Sequence, residues 1–258
     1  HENYIIDCLE GALSQKVNFD YEIVIGEDKS TDATLKICEE YASRYPDKIR
    51  LIKRDVNLGM IGNWVDTIKS CKGIYIAICE GDDYWTDPLK LQKQVDFLEA
   101  NPEFSLCFTD YQEFYENKKK YGHPELIKKY KERDTFTSND IILNNFIPTL
   151  TVLFRNRQGI LNYIKEEFFP ADWFIHILNS KYGKIKFLPF ESAVYRIHDG
   201  GICSSSNPIF NNYRYLKSID LFKSQFKDDY SLQILFALVK SKIRFQTLKI
   251  KLRNSIRK

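Results

Sequence analysis

The sequence has little glycine or proline and no long uncharged apolar run. Glycine and proline together account for 19 of the 258 residues, too few for a collagen-like or linker-like chain. No apolar run reaches the roughly 18 residues that a membrane-spanning helix needs, and the opening residues, HENY, lack a secretory signal. Because 43% of the residues are hydrophobic and 14% are aromatic, the chain is expected to fold, as one large domain or two small ones.

The chain also lacks paired cysteines. None of the six forms a CxxC pair, and no histidine cluster accompanies them at the spacing of a zinc site. Cys38, Cys71, Cys79 and Cys107 stand among apolar residues, as small core side chains do. We therefore expect reduced thiols and a cytoplasmic location rather than a secreted, disulfide-linked protein.

Acidic residues are absent from the last part of the chain. From Ser231 to Lys258 there are eight basic residues and no acid, whereas the rest of the chain carries 30 basic and 35 acidic residues. An acidic body with a basic tail indicates an anionic partner for the tail. Eight apolar residues of the tail fall roughly on one helical face, namely Leu232, Leu235, Phe236, Val239, Ile243, Leu248, Leu252 and Ile256. We predict an amphipathic helix that either binds an anionic membrane surface or packs on the preceding domain. No nucleic-acid-binding motif accompanies it.

The first hundred residues alternate between helical and strand patterns. Helical spacing of apolar residues predicts helices at 4–15, 33–44 and 60–70, and a further helix that opens at Asp87-Pro88 and ends near Ala100. Short apolar runs predict strands at 22–26, 50–54 and 74–79. This alternation predicts an α/β fold with an open, mostly parallel sheet, in which ligands bind beyond the carboxyl ends of the strands.

The second half is less regular. Strands are predicted at 105–111, 150–154, 185–188 and 193–197, and helices at 138–145, at 172–180 and from Tyr213 onwards. The Lys-rich segment 115–135 is predicted to be a mobile excursion.

Two acidic turns follow predicted strands. Residues Glu80–Asp83 end the most apolar strand, and three carboxylates within four residues repel one another unless a cation joins them. A hard divalent ion completed by a diphosphate would supply that cation, and Gly81 would let the backbone approach the ligand. The alternative is an acidic turn that caps the next helix. The second turn, Glu27-Asp28, stands where it can meet a base or ribose, although the residues after it are also typical of a helix cap.

The same residues carry a family resemblance. The segments YEIVIGEDKSTDAT (21–34), NLGMIGNW (57–64), YIAICEGDDYWTDPLKLQKQ (75–94), PADW (170–173) and YRIHDGGICSS (195–205) resemble, in this order, the motifs of a family 2 glycosyltransferase of the GT-A fold. The resemblance covers about four fifths of the chain. It implies a GT-A domain over 1–205, with a nucleotide-sugar half at about 1–110 and an acceptor half at about 111–205. A basic helical extension follows at 206–258.

The resemblance implies that Glu27 and Asp28 contact the nucleoside, with Glu27 standing where the family usually has Asp. Asn57 and Asn63 would border the same nucleotide and donor crevice. Ordinary turn chemistry is the simpler explanation for Asn57 taken alone.

The resemblance also implies a metal and diphosphate site. Asp82 matches the metal ligand of the family's DxD-type motif, and Glu80, Gly81 and Asp83 would lie near the ribose, the diphosphate or the donor sugar. His198, in YRIH, resembles the family histidine that approaches the metal or diphosphate. A surface or core hydrogen-bonding histidine is the alternative.

Asp172, in PADW, matches the family's catalytic base, which takes the proton of the acceptor hydroxyl. A helix N-cap is the alternative interpretation, and both can hold together. A divalent cation would stabilise the leaving diphosphate, and a single in-line displacement would invert the anomeric centre. Trp85 and Trp173 follow proposed site acids and are predicted to form an acceptor platform.

The sequence thus predicts a metal-dependent, inverting glycosyltransferase of the hexosyltransferase type. UDP is the expected nucleotide, Mn²⁺ or Mg²⁺ the expected cofactor, and a saccharide or lipid-linked acceptor in bacterial surface-polysaccharide synthesis the expected substrate. The enzyme would work in the cytoplasm or at the inner face of the cytoplasmic membrane.

Two other functions remain as alternatives. An inactive sugar-nucleotide-binding scaffold would not need Asp82 and Asp172. A metal-dependent nucleotidyltransferase would show a Gly-rich basic phosphate loop near its start. The family's first strand has no counterpart here, and we expect the sequence to be incomplete at that point.

Overall fold

The computed structural model describes residues 1–124, 128, 132–201 and 207–256. The helices are α1 (Ile5–Leu13), α2 (Thr34–Arg44), α3 (Gly59–Ser70), α4 (Lys90–Ala100), α5 (Ser138–Leu143), α6 (Ala171–Ser180), α7 (Pro208–Gln225) and α8 (Tyr230–Ile256). The strands are β1 (Ile23–Glu27), β2 (Ile49–Lys53), β3 (Tyr75–Ala77), β4 (Tyr84–Trp85), β5 (Phe104–Tyr115), β6 (Lys120–Gly122), β7 (Thr135–Phe136), β8 (Leu153–Arg155) and β9 (Lys184–Ile197). Short 3-10 turns lie at Glu116–Lys118, Thr149–Thr151 and Gln158–Tyr163.

The predicted alternation of helices and strands in the first hundred residues is confirmed. α1 buries Ile5, Cys8, Leu9 and Ala12 on one face, because these residues recur at helical spacing. β1 and β2 pair in parallel and form a sheet of their own, with Ile23 opposite Ile49. Helices thus flank short strands whose carboxyl ends point in one direction.

The large sheet is mixed, so the prediction of a mostly parallel sheet is wrong. Its strand order is β3-β8-β5-β9-β4, with β6 added to β5 and β7 added to β9. Only β5 and β9 pair in parallel in this sheet, whereas its other pairs within the described residues are antiparallel. The reason is that strands of the second half return into the sheet beside strands of the first half, outside the region of helix–strand alternation.

β9 is one long strand where two were predicted. Leu188 pairs with Thr109 and Glu191 pairs with the next residue, Asp110, so Pro189 and Phe190 form a bulge. A bulge accommodates proline because its residues donate no ladder hydrogen bond. The continuous strand carries the chain to the edge of the acidic turn that precedes β4.

The segment predicted as a mobile excursion contains ordered structure at its start. Residues of β6 pair with β5, with Lys120 opposite Tyr115. Residues 125–127 and 129–131 of the segment lie outside the described residues.

The C-terminal extension packs on the domain through one face of α8. α7 begins at Asn207, whose side chain accepts a hydrogen bond from the Ile209 N–H, and α8 packs on both α5 and α7. Among the described side chains of α8, which end at Arg253, the buried apolar ones are Leu232, Phe236, Val239 and Ile243; the predicted side chain of Ile256 lies outside them. Leu248 and Leu252 are instead more than half exposed, so the prediction of a single apolar face is wrong.

Five cysteines, Cys8, Cys38, Cys71, Cys79 and Cys107, are free thiols, and Cys203 lies outside the described residues. No described helix is both long enough and apolar enough to cross a membrane.

Candidate active site

The acid turn, residues 80–83, joins β3 to β4. It is closed by a hydrogen bond of 3.0 Å from the Asp83 N–H to the Glu80 carbonyl oxygen. Because β4 pairs with β9, the end of β9 and the residues after it run alongside the turn. The sheet therefore brings two predicted motifs together across more than a hundred residues of sequence.

Asp82 and His198, the predicted metal ligands, lie in contact. His198 Nε2 is 3.2 Å from Asp82 Oδ2, and the side chains are 10% and 23% exposed, respectively. The His198 ring packs against Tyr4, with 4.7 Å between the ring centroids. An imidazole nitrogen and a carboxylate oxygen thus converge on one point. Residues 202–206, which end the YRIHDGGICSS segment, lie outside the described residues.

The donor atoms at this point fit a cation that also binds a phosphate. Within the described part of the chain, no three His, Cys, Asp or Glu side chains are grouped to hold a metal ion by themselves. Mg²⁺ in proteins is commonly held by one or two carboxylates together with substrate phosphates and water. Asp82 supplies such a carboxylate, and His198 supplies a nitrogen suited to a softer ion.

The other two carboxylates of the acid turn are strongly perturbed. Burial, followed by repulsion from Asp82 and Asp172, raises the pKa of Glu80 to about 8. Asp83 is 2% exposed, and burial together with Glu80 and Asp82 raises its pKa well above the usual value. Without a cation, Glu80 and Asp83 therefore tend to stay protonated, and a bound cation would favour their charged forms.

Asp83 also has a structural role that the sequence analysis did not assign. Its Oδ1 accepts a hydrogen bond of 2.8 Å from the Arg196 N–H. This bond ties the turn to β9. The predicted contact between Asp83 and the donor stays a prediction.

The Arg196 side chain holds the acid turn in place by a hydrogen bond to its backbone. Its Nε donates to the Asp82 carbonyl oxygen at 2.9 Å, and its guanidinium forms ion pairs with Asp7 and Glu116 at 2.7 and 3.3 Å. The side chain is 8% exposed. The pairing of β4 with β9 places the guanidinium between two carboxylates and the Tyr4 ring.

Asp172 meets the acid turn through Thr149. The Thr149 hydroxyl donates to Asp172 Oδ2 at 3.1 Å. Asp172 raises the pKa of Glu80 by charge repulsion, whereas Thr149 lowers it, so both residues act on the acid turn electrostatically. Sequence reasoning missed Thr149, because a threonine in a 3-10 turn carries no motif of its own.

Asp172 stands at the start of α6 but does not cap it. Pro170 occupies the N-cap position, and Asp172 lies in the first turn without a side-chain cap bond, so the N-cap interpretation is wrong. A carboxylate in the first turn is still favoured by the helix dipole. One turn later, His176 is fully buried, and burial lowers its pKa to about 4. A neutral His176 leaves Asp172 without a cationic neighbour on its own helix face.

Glu27 is buried and holds the turn that follows β1. Its Oε1 accepts from the Ser30 N–H at 2.8 Å and its Oε2 accepts from the Lys29 N–H at 3.1 Å. Lys29 has a φ of 58°, a left-handed conformation that needs such support. Glu27 thus shapes the loop, and its predicted contact with the nucleoside stays a prediction.

Asp28, Asn57 and Asn63 join the end of β1 to α3. Asp28 Oδ1 accepts from the Leu58 N–H at 2.7 Å, and Asn57 Nδ2 donates to the Asp28 carbonyl oxygen at 2.7 Å. Asn63 Nδ2 donates to the Gly26 carbonyl oxygen at 2.8 Å. The predicted crevice residues therefore come together as one hydrogen-bonded rim. The Asn57 Oδ1 atom also accepts a hydrogen bond from the Gly59 N–H, two residues further on. This is the turn chemistry that was expected of Asn57.

Gly81 approaches α1. A Cβ atom on Gly81 would lie 3.1 Å from the Ile5 side chain and 2.8 Å from the His1 ring. Small size at this position therefore lets the acid turn pack on the start of α1. The predicted approach of its backbone to the donor stays a prediction.

The acceptor platform predicted for Trp85 and Trp173 is wrong. Trp85 is 8% exposed and its Nε1 donates to the Leu150 carbonyl oxygen, while Trp173 is 3% exposed and its Nε1 donates to the Ile141 carbonyl oxygen. Neighbouring side chains on a strand or a helix point in different directions. Trp85 and Trp173 therefore point into the core although each stands close in sequence to a site acid.

The arrangement of helices, mixed sheet and acid turn is the GT-A fold of glycosyltransferases. The model of the family described as "Glycosyl transferase family 2" matches residues 1–158. The chain belongs to this family.

Three proteins that are similar to this chain come from bacteria. An uncharacterized protein of Mycobacterium tuberculosis is 41% identical over 205 residues, covering 80% of this chain and 58% of the relative. The UDP-Glc:alpha-D-GlcNAc-diphosphoundecaprenol beta-1,3-glucosyltransferase WfaP of Escherichia coli is 28% identical, with 84% and 82% of the two chains covered. The structure of TarS 1-349 of S. aureus in complex with UDP-GlcNAc has a TM-score of 0.64 at 20% identity, covering 85% of this chain and 63% of that one. The chain thus spans less than two thirds of the Mycobacterium relative's length.

Proposed function

We propose that the chain carries the catalytic site of an inverting glycosyltransferase. It would transfer a sugar from a UDP-sugar to a hydroxyl of a saccharide or lipid-linked acceptor in bacterial surface-polysaccharide synthesis. The observation that carries the proposal is the contact between Asp82 of the acid turn and His198, with Asp172, held by Thr149, acting electrostatically on Glu80 of the same turn. Membership of the family supports the reaction class. The UDP-GlcNAc bound to TarS and the diphosphoundecaprenol substrate named for WfaP support the donor and acceptor classes.

Asp82 and His198 would hold a divalent cation, Mn²⁺ or Mg²⁺, together with the donor diphosphate. When bound, the cation stabilises the negative charge that develops on the leaving diphosphate. The crowding of Glu80 and Asp83 around Asp82 supports this role, because a cation offsets the repulsion that raises their pKa values. Asp28, Asn57 and the backbone of the turn after β1 would line the nucleoside end of the site.

Asp172 would act as the general base. The acceptor oxygen forms a bond to the anomeric carbon, the bond from that carbon to the diphosphate oxygen breaks, and the hydroxyl proton passes to the Asp172 carboxylate. Thr149 donates to Oδ2, which leaves Oδ1 available for the acceptor hydroxyl. The Thr149 hydroxyl fixes the Asp172 carboxyl, and its place in the first turn of α6 is one that the helix dipole favours for a carboxylate.

The proposal is tested by nucleotide release over a panel of sugar nucleotides, each with Mn²⁺, Mg²⁺ or EDTA. We expect UDP release from at least one UDP-sugar, and its loss in EDTA. Release of no nucleotide, together with no metal-dependent binding of UDP, would overturn the proposal and favour a binding scaffold. Release of pyrophosphate from a nucleoside triphosphate would favour a nucleotidyltransferase.

The role of Asp172 is tested by Asp172→Asn, with Asp20→Asn as a control at an exposed loop acid. Asp172→Asn is expected to lower transfer by roughly 10²–10⁴-fold while UDP binding survives. Transfer that persists in Asp172→Asn would show that the base lies elsewhere.

The protein would work in the cytoplasm, at or near the inner face of the membrane. A cell fractionation that finds the protein only on the outer side of the cytoplasmic membrane would contradict this location.

A further inference from the structure

α8 has two apolar faces, and only one of them is covered. Its buried face packs on the domain, with Phe236 against Trp173 and Phe174 at centroid distances of 5.7 and 6.3 Å. A second set of large apolar side chains on α8 is 53–63% exposed, namely Ile234, Leu238, Phe245, Leu248 and Leu252. Isolated exposed apolar residues need no explanation, but five on one helix do.

The five exposed residues form a stripe. At about 100° per residue they fall within roughly 80° of arc, on the side of α8 opposite to Phe236 and Ile243. We call this set the outer stripe. It runs for 19 residues of the 27-residue helix, from Ile234 to Leu252, and a helix that was merely the edge of a core would not repeat this spacing outwards.

Basic residues border the outer stripe on both sides. The six that flank it, three on each side, are Lys242, Lys249 and Arg253 on one side and Lys240, Arg244 and Lys251 on the other. Each lies about 60–120° around the helix from the centre of the stripe. No acidic residue occurs from Ser231 to the end of the chain.

Side-chain contacts tie α8, which carries the outer stripe, to the rest of the domain. Lys240 forms an ion pair with Asp220 of α7, and Lys251 Nζ donates to the Tyr213 hydroxyl of α7 at 3.0 Å. The buried face of α8 contacts Trp173, the residue next to Asp172. The outer stripe therefore lies on a helix whose opposite face packs on α6, the helix that carries Asp172 in its first turn.

We propose that the outer stripe and its two basic rows form a docking surface for an anionic lipid bilayer, with α8 lying in the plane of the headgroups. An apolar stripe bordered by cations matches the interface between acyl chains and anionic headgroups. A second copy of this chain fits less well, because a symmetric helix pair would bring basic rows together without acidic residues to pair with them. The proposal stands on α8 alone and does not rest on the proposed catalytic activity.

The test is co-flotation of the 258-residue chain with vesicles of phosphatidylcholine alone or with about a third phosphatidylglycerol. We expect binding to the anionic vesicles to be at least about 10-fold stronger, and to weaken as salt rises. Two triple variants should each lose at least about 10-fold: Leu238→Ser, Phe245→Ser, Leu252→Ser in the stripe, and Lys242→Gln, Lys249→Gln, Arg253→Gln in one row. The matched control is Ile74→Ser, Leu89→Ser, Leu143→Ser, which removes exposed apolar side chains elsewhere and should bind normally.

A second measurement keeps the proposal open to failure if a triple variant does not fold. Phe245→Trp changes one exposed side chain, and its emission should shift to the blue when anionic vesicles are added. No shift, or equal binding by the stripe variant and the control, would overturn the proposal. So would a dimer in sedimentation that the stripe variant alone dissociates, because a second copy would then cover the stripe.

Discussion

The turn after β1 and the turn after β3 both carry carboxylates at the end of a strand, and they use them in different ways. In the first, Glu27 accepts hydrogen bonds from the backbone of its own turn. In the second, Glu80 and Asp83 crowd around Asp82, and burial raises their pKa values. Backbone N–H groups can stabilise a carboxylate without a ligand, whereas carboxylates that are buried close together hold a proton or bind a cation. The comparison shows why acid content alone does not locate a metal.

The largest difference between the two turns is expected in catalysis. Asp82→Asn should reduce transfer by at least about 100-fold, because it removes a carboxylate from the proposed cation. Glu27→Gln should cost about 1–3 kcal/mol of unfolding free energy, through weaker hydrogen bonds to the Lys29 and Ser30 N–H groups. Initial rates at saturating donor and urea unfolding check both. If the Glu27→Gln enzyme is fully folded and as inactive as Asp82→Asn, Glu27 also has a catalytic role, and the contrast between the two turns is wrong.

A smaller effect is expected at Thr149, whose hydroxyl donates to Asp172 on the side of the site that holds the acid turn. Thr149→Val removes the donor to Asp172 Oδ2 and should lower kcat about 10-fold, because the carboxylate is less well positioned. The KM for donor should stay within about twofold, and Thr149→Ser should restore most of kcat. If Thr149→Val instead raises only the donor KM, the residue belongs to the nucleotide site.

The smallest effect is expected in the pH dependence of stability. The folded state keeps a proton on Glu80 up to about pH 8, whereas the unfolded carboxyl releases it near its usual value of 4.5. The free energy of unfolding therefore falls as pH rises between these values. The Glu80 side chain is partly accessible to solvent. Solvent screening therefore reduces the fall in the free energy of unfolding to roughly 1 kcal/mol.

Chemical unfolding at pH 5 and pH 8 without divalent ions measures this fall. Glu80→Gln should remove it, and Glu27→Gln should leave it unchanged. An identical slope in Glu80→Gln and the parent chain would show that Glu80 is ionised in the folded state at neutral pH.

The sequence predicts local elements well where one pattern controls them. α1, α2 and α3 begin and end within three residues of their predicted limits, because periodic apolar residues and polar helix starts act locally. β9 was divided into two predicted strands at Pro189, since a bulge cannot be distinguished from a break without the partner strand. Strand direction was mispredicted for the same reason: pairing is decided by residues far apart in sequence.

The site divides in the same way. Asp82, His198 and Asp172 were predicted because each stands in a recognisable motif, and the structure brings Asp82 and His198 into contact. Thr149 and the anchoring role of Arg196 were missed, since their partners are set only when β4 pairs with β9 and the 149–151 turn meets α6. The two tryptophans were misassigned because adjacency in sequence to a site acid does not determine which way an indole points.

The separation of the strands into two ladders has a consequence for the order of events at the site. β1 and β2 bond to each other in a small sheet, and three further hydrogen bonds tie the rim after β1 to residues 57–63. β9, which leads to His198, bonds to β4, β5 and β7 and so belongs to a larger cooperative unit. The rim would therefore open more readily than the region around the acid turn. A donor bound as proposed would then lose its nucleoside contacts before its diphosphate contacts, and the spent nucleotide would leave base first.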